Sequence, residues 1–369
     1  MDSATRARMA SMLNSSEGRP LSELVKTKEI LKGAESQRLR TFCTSNTMSP
    51  ARDLDAYARL LQTGDVAAVR AEFAQRVARH TAESTMDSTT QPTPEDAAAQ
   101  EIYALAWGPT RLAVYNVLLH FRVLFPAHAP GYLAILRFLA LEARVPVDMP
   151  DLSGTQALSV AIGTKPIVDL DVAQVLLAAG GDVNARNRYG ATAAHEILQI
   201  WTPRDAGVVA RAARALEWFL AHGGNTAIAD GDGMRPRDMA LRLASAAPGL
   251  LQFIEDADRV RGVRAQTVEG CCALCGRGAE EARLLKCGRC RAVRYCAPTA
   301  RACQVLDWPQ HKKSCVRSTP DRQAAATPSR QAADGGFAFL GTKIGGASDS
   351  RGAGCSLADC ESRLSLCIL

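Results

Sequence analysis

Through the middle of the chain, apolar residues recur at three- and four-residue spacing, the period of a helix with one buried face. The first clear case spans Asp53 to Val77. Leu54, Ala58, Leu60 and Leu61 precede Thr63-Gly64-Asp65, after which Val66, Val69, Phe73 and Val77 fall on one face. A glycine can stop the first helix and the Asp65 carboxylate can cap the second, so a helical hairpin is predicted. Thr81 to Pro94 is rich in Thr, Ser and Pro and reads as a mobile loop. Residues 1–52 are polar and read as largely disordered, apart from one amphipathic stretch around Leu21, Leu24, Val25, Ile30 and Leu31.

From about Ala98 to Asp256 the helical pattern repeats. Gly180-Gly181-Asp182-Val183-Asn184 recurs as Gly223-Gly224-Asn225-Thr226, following the apolar stripes Val172, Val175, Leu176 and Leu216, Phe219, Leu220. Turns ending in glycine come next, at Asn187–Gly190 and Asp230–Gly233, with an earlier copy at Asp151–Gly154. These units resemble ankyrin repeats, in which a turn leads into two antiparallel helices. The resemblance is clearest at Gly190-x-Thr192-x2-His195, where it implies that Thr192 opens a helix and His195 ties down the loop. Gly233-x2-Pro236 copies the same start, with proline in its permitted first-turn place. A further copy lies upstream at Gly108-x-Thr110-x-Leu112. Gln156 and Arg235 stand where threonine is usual, and Phe125–Gly131 and Trp201–Gly207 read as insertions outside the stack. About three or more such units bury a continuous core. Trp107, Trp201 and Trp218 read as core or groove residues.

Residues 271–315 carry a different pattern. Eight of the 12 cysteines and one of the 6 histidines fall there. Cys272 and Cys275 form one C-x2-C pair, Cys287 and Cys290 a second, Cys296 and Cys303 a looser third, and His311 with Cys315 an H-x3-C close. Structural zinc takes four sulfur or imidazole ligands in a tetrahedron, so these pairs supply two sites. Spacing alone allows either consecutive or alternating pairing. With the non-ligand residues Tyr295, Gln304, Asp307, Trp308 and Pro309, the run resembles the MYND zinc-finger family. That resemblance implies alternation: Cys272, Cys275, Cys296 and Cys303 on one zinc, Cys287, Cys290, His311 and Cys315 on the other. Six residues separate Cys296 from Cys303, where similar fingers usually have three; the extra ones are expected to bulge outwards or add a helical turn. A finger of this size folds on its metal, worth roughly 10–16 kcal/mol per structural site.

The expected architecture is thus mainly α. Residues 53–262 form a helical domain with ankyrin-like repeats over about 98–256, residues 263–318 a two-zinc cross-brace finger, and residues 319–369 a disordered tail. Reduced thiols at metal spacing, with no apolar signal-peptide core at the start, indicate an intracellular protein of the cytoplasm or nucleus. No run is apolar enough for a membrane span. The net charge is +6 and basic residues crowd the finger, which raises nucleic-acid binding as the alternative function. Zinc-bound thiolates offset much of that charge, and the short helix expected around Ala302–Trp308 carries Gln304, Val305, Leu306 and Asp307 in place of a basic face. No Walker loop, G-x-S-x-G elbow, H-E-x-x-H helix or dinucleotide glycine run is present, so the expectation is a protein without enzymatic activity. The resemblance implies an adaptor that binds partner proteins through short proline-containing peptides of transcriptional regulators, near Gln304 and Trp308.

Overall fold

A computed structural model of the chain describes residues 18–83, 92–163, 168–267, 271–274, 278, 283–296 and 300–316. The centre of the expected 81–94 loop and the tail after residue 316 lie outside these, as do Cys275 and the first residues inserted after Cys296.

The predicted hairpin forms. Asp55 caps helix α4 (Ala56–Gln62) by accepting from the Ala58 amide at 2.8 Å, and Asp65 caps α5 (Val66–Glu83) by accepting from Ala67 and Ala68. Tyr132 donates its hydroxyl to the Gln62 carbonyl at 2.7 Å, and Phe73 meets Phe138 edge-on at 5.7 Å, so the hairpin is welded to the first repeat. The residues read as an insertion at 125–131 pack against the same hairpin, with His128 and Gly131 beside Gly64. A Cβ on Gly131 would stand 2.3 Å from the Gly64 carbonyl oxygen, so they lie inside the packing and the expectation of an outlying loop is corrected.

After α6 (Pro94–Tyr103) and a short antiparallel pair of strands, β1 (Ala106–Trp107) and β2 (Leu112–Ala113), four antiparallel helix pairs follow in order. They are α7 (Val114–Leu124) with α8 (Ala129–Arg137, continued by a π-helical segment to Glu142), α9 (Ala157–Ile162) with α10 (Leu170–Ala178), α11 (Ala193–Leu198) with α12 (Ala206–Ala221), and α13 (Pro236–Leu243) with α14 (Pro248–Thr267). The first helices of successive pairs pack side by side, and one apolar core runs from Met48 to Ile254. This is the layered, repeat-by-repeat burial expected of a solenoid. Helix α14 continues to Thr267, past position 262 where the sequence reading ended the helical domain.

The connecting turns form a ladder. Leu152 donates its amide to the Thr110 carbonyl, Arg188 to Ser153 and Gly231 to Tyr189, each at 2.7–2.8 Å. Within each turn the first side chain accepts amides further on: Asp151 from Thr155, Asn187 from Tyr189 and Ala191, Asp230 from Asp232 and Met234. Gly190 sits at φ +74°, the left-handed region that favours glycine. His195 closes its loop as expected: Nδ1 accepts from the Thr192 amide, and Nε2 lies 3.0 Å from the Met234 carbonyl of the next unit. Gln156 and Arg235 occupy N-cap positions in place of threonine. At the second, Asp238 reaches back and accepts from the Arg235 amide, restoring part of the missing cap.

Two expectations are corrected. Residues 18–52, read as part of a largely disordered segment, are ordered: α1 (Leu21–Leu24), α2 (Gly33–Ser45) and α3 (Pro50–Asp53) are formed, and Leu24, Leu31 and Leu39 are buried against Leu152, Tyr189 and Ala191 of the turn ladder. Apolar turn residues supply the reason, since they leave a face that leucines can cover. Trp201, read as core or groove, is 63% exposed because α11 ends at Leu198, before the helical period reaches it.

Candidate metal centre

The finger is built from two short strands and one helix. Strand β3 (Leu284–Lys286) pairs antiparallel with β4 (Arg294–Cys296), and a tight turn between them carries Cys287 and Cys290. The turn is closed by the Cys287 amide donating to Val293 and the Arg291 amide donating to Cys287, with Arg291 at φ +54°. Cys272 arrives beside β4 through a bridge to Arg294. Helix α15 (Ala300–Ser314) presents Cys303 in its first turn and His311 in its last, with Cys315 just beyond its end. It is longer than the helix expected around 302–308.

Cys287, Cys290, His311 and Cys315 are all buried, and their ligand atoms lie within 4.8 Å of one another. The Cys287 and Cys315 sulfurs are 3.9 Å apart, and the Cys290 sulfur is 3.5 Å from His311 Nε2. Sulfur and nitrogen ligands on one tetrahedral zinc stand about 3.5–3.8 Å apart, given Zn–S near 2.3 Å and Zn–N near 2.0–2.1 Å. The donor set and its spacing therefore fit zinc. Burial opposes a thiolate at Cys287, but the Cys290 and Arg289 amides, followed by His311 and Cys290 side chains, hold its thiol well below the ordinary range. Cys315 beside it is pushed up by burial and by that neighbouring sulfur.

Cys272, Cys296 and Cys303 form a second group, with sulfurs also within 4.8 Å. The longer spacing after Cys296 does not keep Cys303 away, because the helix begins at Ala300 and delivers Cys303 one turn later. Cys275, the fourth residue of that set, lies outside the described residues. Cys271 is half-buried and joins neither group. With all four positions of the Cys287, Cys290, His311 and Cys315 set taken by protein side chains, zinc there stabilises the fold.

Two non-ligand residues brace the finger. The Tyr295 hydroxyl donates to Asp307 at 2.6 Å, joining β4 to α15, and the Tyr295 ring meets His311 edge-on at 6.0 Å. The sequence reading noted both residues without finding this bond; a buried tyrosine needs a polar partner, which was the available signal. Gln304 directs its amide to the Cys287 sulfur at 3.9 Å. Trp308 packs one side against His311, with ring centroids 5.9 Å apart, and keeps 36% of its surface exposed beside Val305 at 65%.

The MYND finger family model matches residues 272–315. Among solved structures, the chain is similar to an ankyrin repeat domain from Acinetobacter baumannii, at 20% identity and a TM-score of 0.33, covering 55% of this chain and 98% of that one. No curated protein matches. Residues 272–315 are a MYND-type zinc finger, following a helical stack of ankyrin-like repeats. The class to which this segment belongs is that of zinc-binding fingers. Among the described residues, no single helix is long and apolar enough to cross a membrane.

Proposed function

We propose that the chain is a non-enzymatic adaptor of the cell interior, working in the cytoplasm or nucleus, whose finger binds short proline-containing peptides of partner proteins. The observation that carries this reading is the accessible side of Trp308, flanked by Val305 on the helix that also carries Cys303 and His311. A flat indole held in place by its own packing is a good platform for proline rings, and its fixed rotamer lowers the entropy lost on binding. Gln304 stands one turn away on the same helix. The first zinc in this reading is held by Cys272, Cys275, Cys296 and Cys303, and the second by Cys287, Cys290, His311 and Cys315.

A nuclease-treated pull-down tests the proposal, using the full chain beside Cys287→Ser and Trp308→Ala. Partners captured through the finger should be lost with both variants, and native mass spectrometry should show Trp308→Ala still carrying its zinc. Finger-dependent capture that survives Trp308→Ala removes the peptide site. Capture that vanishes with nuclease transfers the function to the exposed basic residues, Lys312 and Lys313 among them, as a nucleic-acid contact.

A further inference from the structure

Residues 18–45 lie across the turn ladder in the manner of a bound peptide. Arg188, at a turn tip, donates through Nη2 to the Leu24 carbonyl and the Thr27 hydroxyl, each at 2.7 Å, and its own carbonyl accepts the Leu31 amide at 2.7 Å. The Gly33 amide reaches Asp232 of the next turn at 2.8 Å. Leu24 and Leu31 are at most 1% exposed, and the Arg40 guanidinium stacks over the Tyr189 ring at 4.1 Å. The contact is close enough to demand glycine: a Cβ on Gly231 would stand 2.3 Å from the Leu31 carbonyl oxygen.

The segment is also separable. Its leucines bury against Leu152, Tyr189 and Ala191 in an apolar cluster distinct from the core that runs from Met48 to Ile254. It closes on itself, since Arg19 pairs with Glu35 at 2.7 Å and with Glu29. Release would therefore uncover the ladder and leave the helical pairs packed.

We propose that residues 18–45 are a displaceable intramolecular ligand of the turn ladder. The surface beneath takes a partner peptide of the same chemistry: two leucines seven residues apart, an extended backbone after the second, and a carbonyl near the first for Arg188. The segment holds this surface closed until such a peptide, or a change in the segment itself, displaces it. A tethered ligand competes at an effective concentration near millimolar, so only the open fraction is available to a partner in trans. The proposal rests on reading the repeats as an interaction surface, but its test needs no cellular partner, so it can fail or stand independently of the pull-down.

The test uses a fluorescent peptide of residues 18–45 and the full chain, with binding read by anisotropy. Leu31→Asp places a charge in the apolar cluster and should free the segment. This variant should keep its helical circular dichroism and bind the peptide at least about tenfold tighter than the unaltered chain does, because the tethered competitor is gone. Adding Gly231→Ala to Leu31→Asp should abolish the gain, since the new methyl occupies the place of the Leu31 carbonyl. Three results overturn the proposal: a folded Leu31→Asp chain with no gain in binding, a double variant that binds as well as the single one, or loss of the repeat helices together with the segment.

Discussion

His195→Ala is the sharpest probe of how the repeats are joined. The imidazole is buried and bridges two units, with Nδ1 accepting from the Thr192 amide at 3.0 Å and Nε2 facing the Met234 carbonyl at 3.0 Å. Alanine leaves the buried Thr192 amide without this acceptor, at a cost of about 1–3 kcal/mol. Loss of the contact to Met234 adds roughly 0.5–1.5 kcal/mol, and the space vacated by the ring about 1–2 kcal/mol more. The total is about 2.5–6.5 kcal/mol, a large share of the roughly 5–15 kcal/mol that holds a typical domain folded. Urea titration followed by helical circular dichroism measures it. A loss under about 1 kcal/mol would refute the bridge, because neither buried partner would then have depended on the ring.

The same histidine gives a pH dependence of fixed sign. Burial, the larger cause, lowers its pKa below the ordinary 6.5 against the raising effect of its hydrogen bonds. The unfolded chain therefore binds this proton at a higher pH than the folded one. Its contribution is complete above about 6.5 and is lost as pH falls from there towards the folded value, and in His195→Gln this part of the slope should vanish. Arg122→Met should cost about 3–5 kcal/mol, because it leaves the buried Asp169 carboxylate without the guanidinium now 2.5 Å away; adding Asp169→Asn should recover much of the loss. Native mass spectrometry of the full chain should count two zinc ions, and a single ion would remove the set containing Cys303.

What could be read from the sequence divides along physical lines. Local signals read well: Asp65 as a cap, Gly64 and Gly190 as stops and turns, and the three-to-four-residue apolar spacing act within one or two helical turns. Metal spacing marked the ligand residues, but it left consecutive pairing open; that Cys287 and Cys290 meet His311 and Cys315 was implied by the family resemblance. The order in residues 18–52 did not, because Leu24 and Leu31 find their cover more than a hundred residues later. One signal was present: Leu152 and Tyr189 stand at turn tips, where a turn facing water would carry polar side chains. Trp201 misled for the opposite reason, as its apolar character matched a helical period that Gln199 had already ended. The contact at Gly131 escaped notice because a glycine that admits a neighbouring carbonyl looks, in sequence, like any loop glycine.

The finger and the covered ladder are held by different forces, and this separates their failures. Zinc organises a segment with little apolar core of its own, whereas residues 18–45 are held by leucines, backbone hydrogen bonds and Arg188. Chelation should therefore reduce the helical signal by no more than the share of the fifteen-residue helix α15. The peptide affinity of Leu31→Asp should stay within about twofold under the same treatment, as distant independent sites add. Conversely, Leu31→Asp should leave the zinc count unchanged. The assays are chelator titration followed by circular dichroism, and peptide anisotropy with and without chelator. If stripping the metal melts the repeats or closes the ladder to peptide, the finger is part of what holds the stack together. The chain would then work as one cooperative unit and not as two surfaces that can be lost separately.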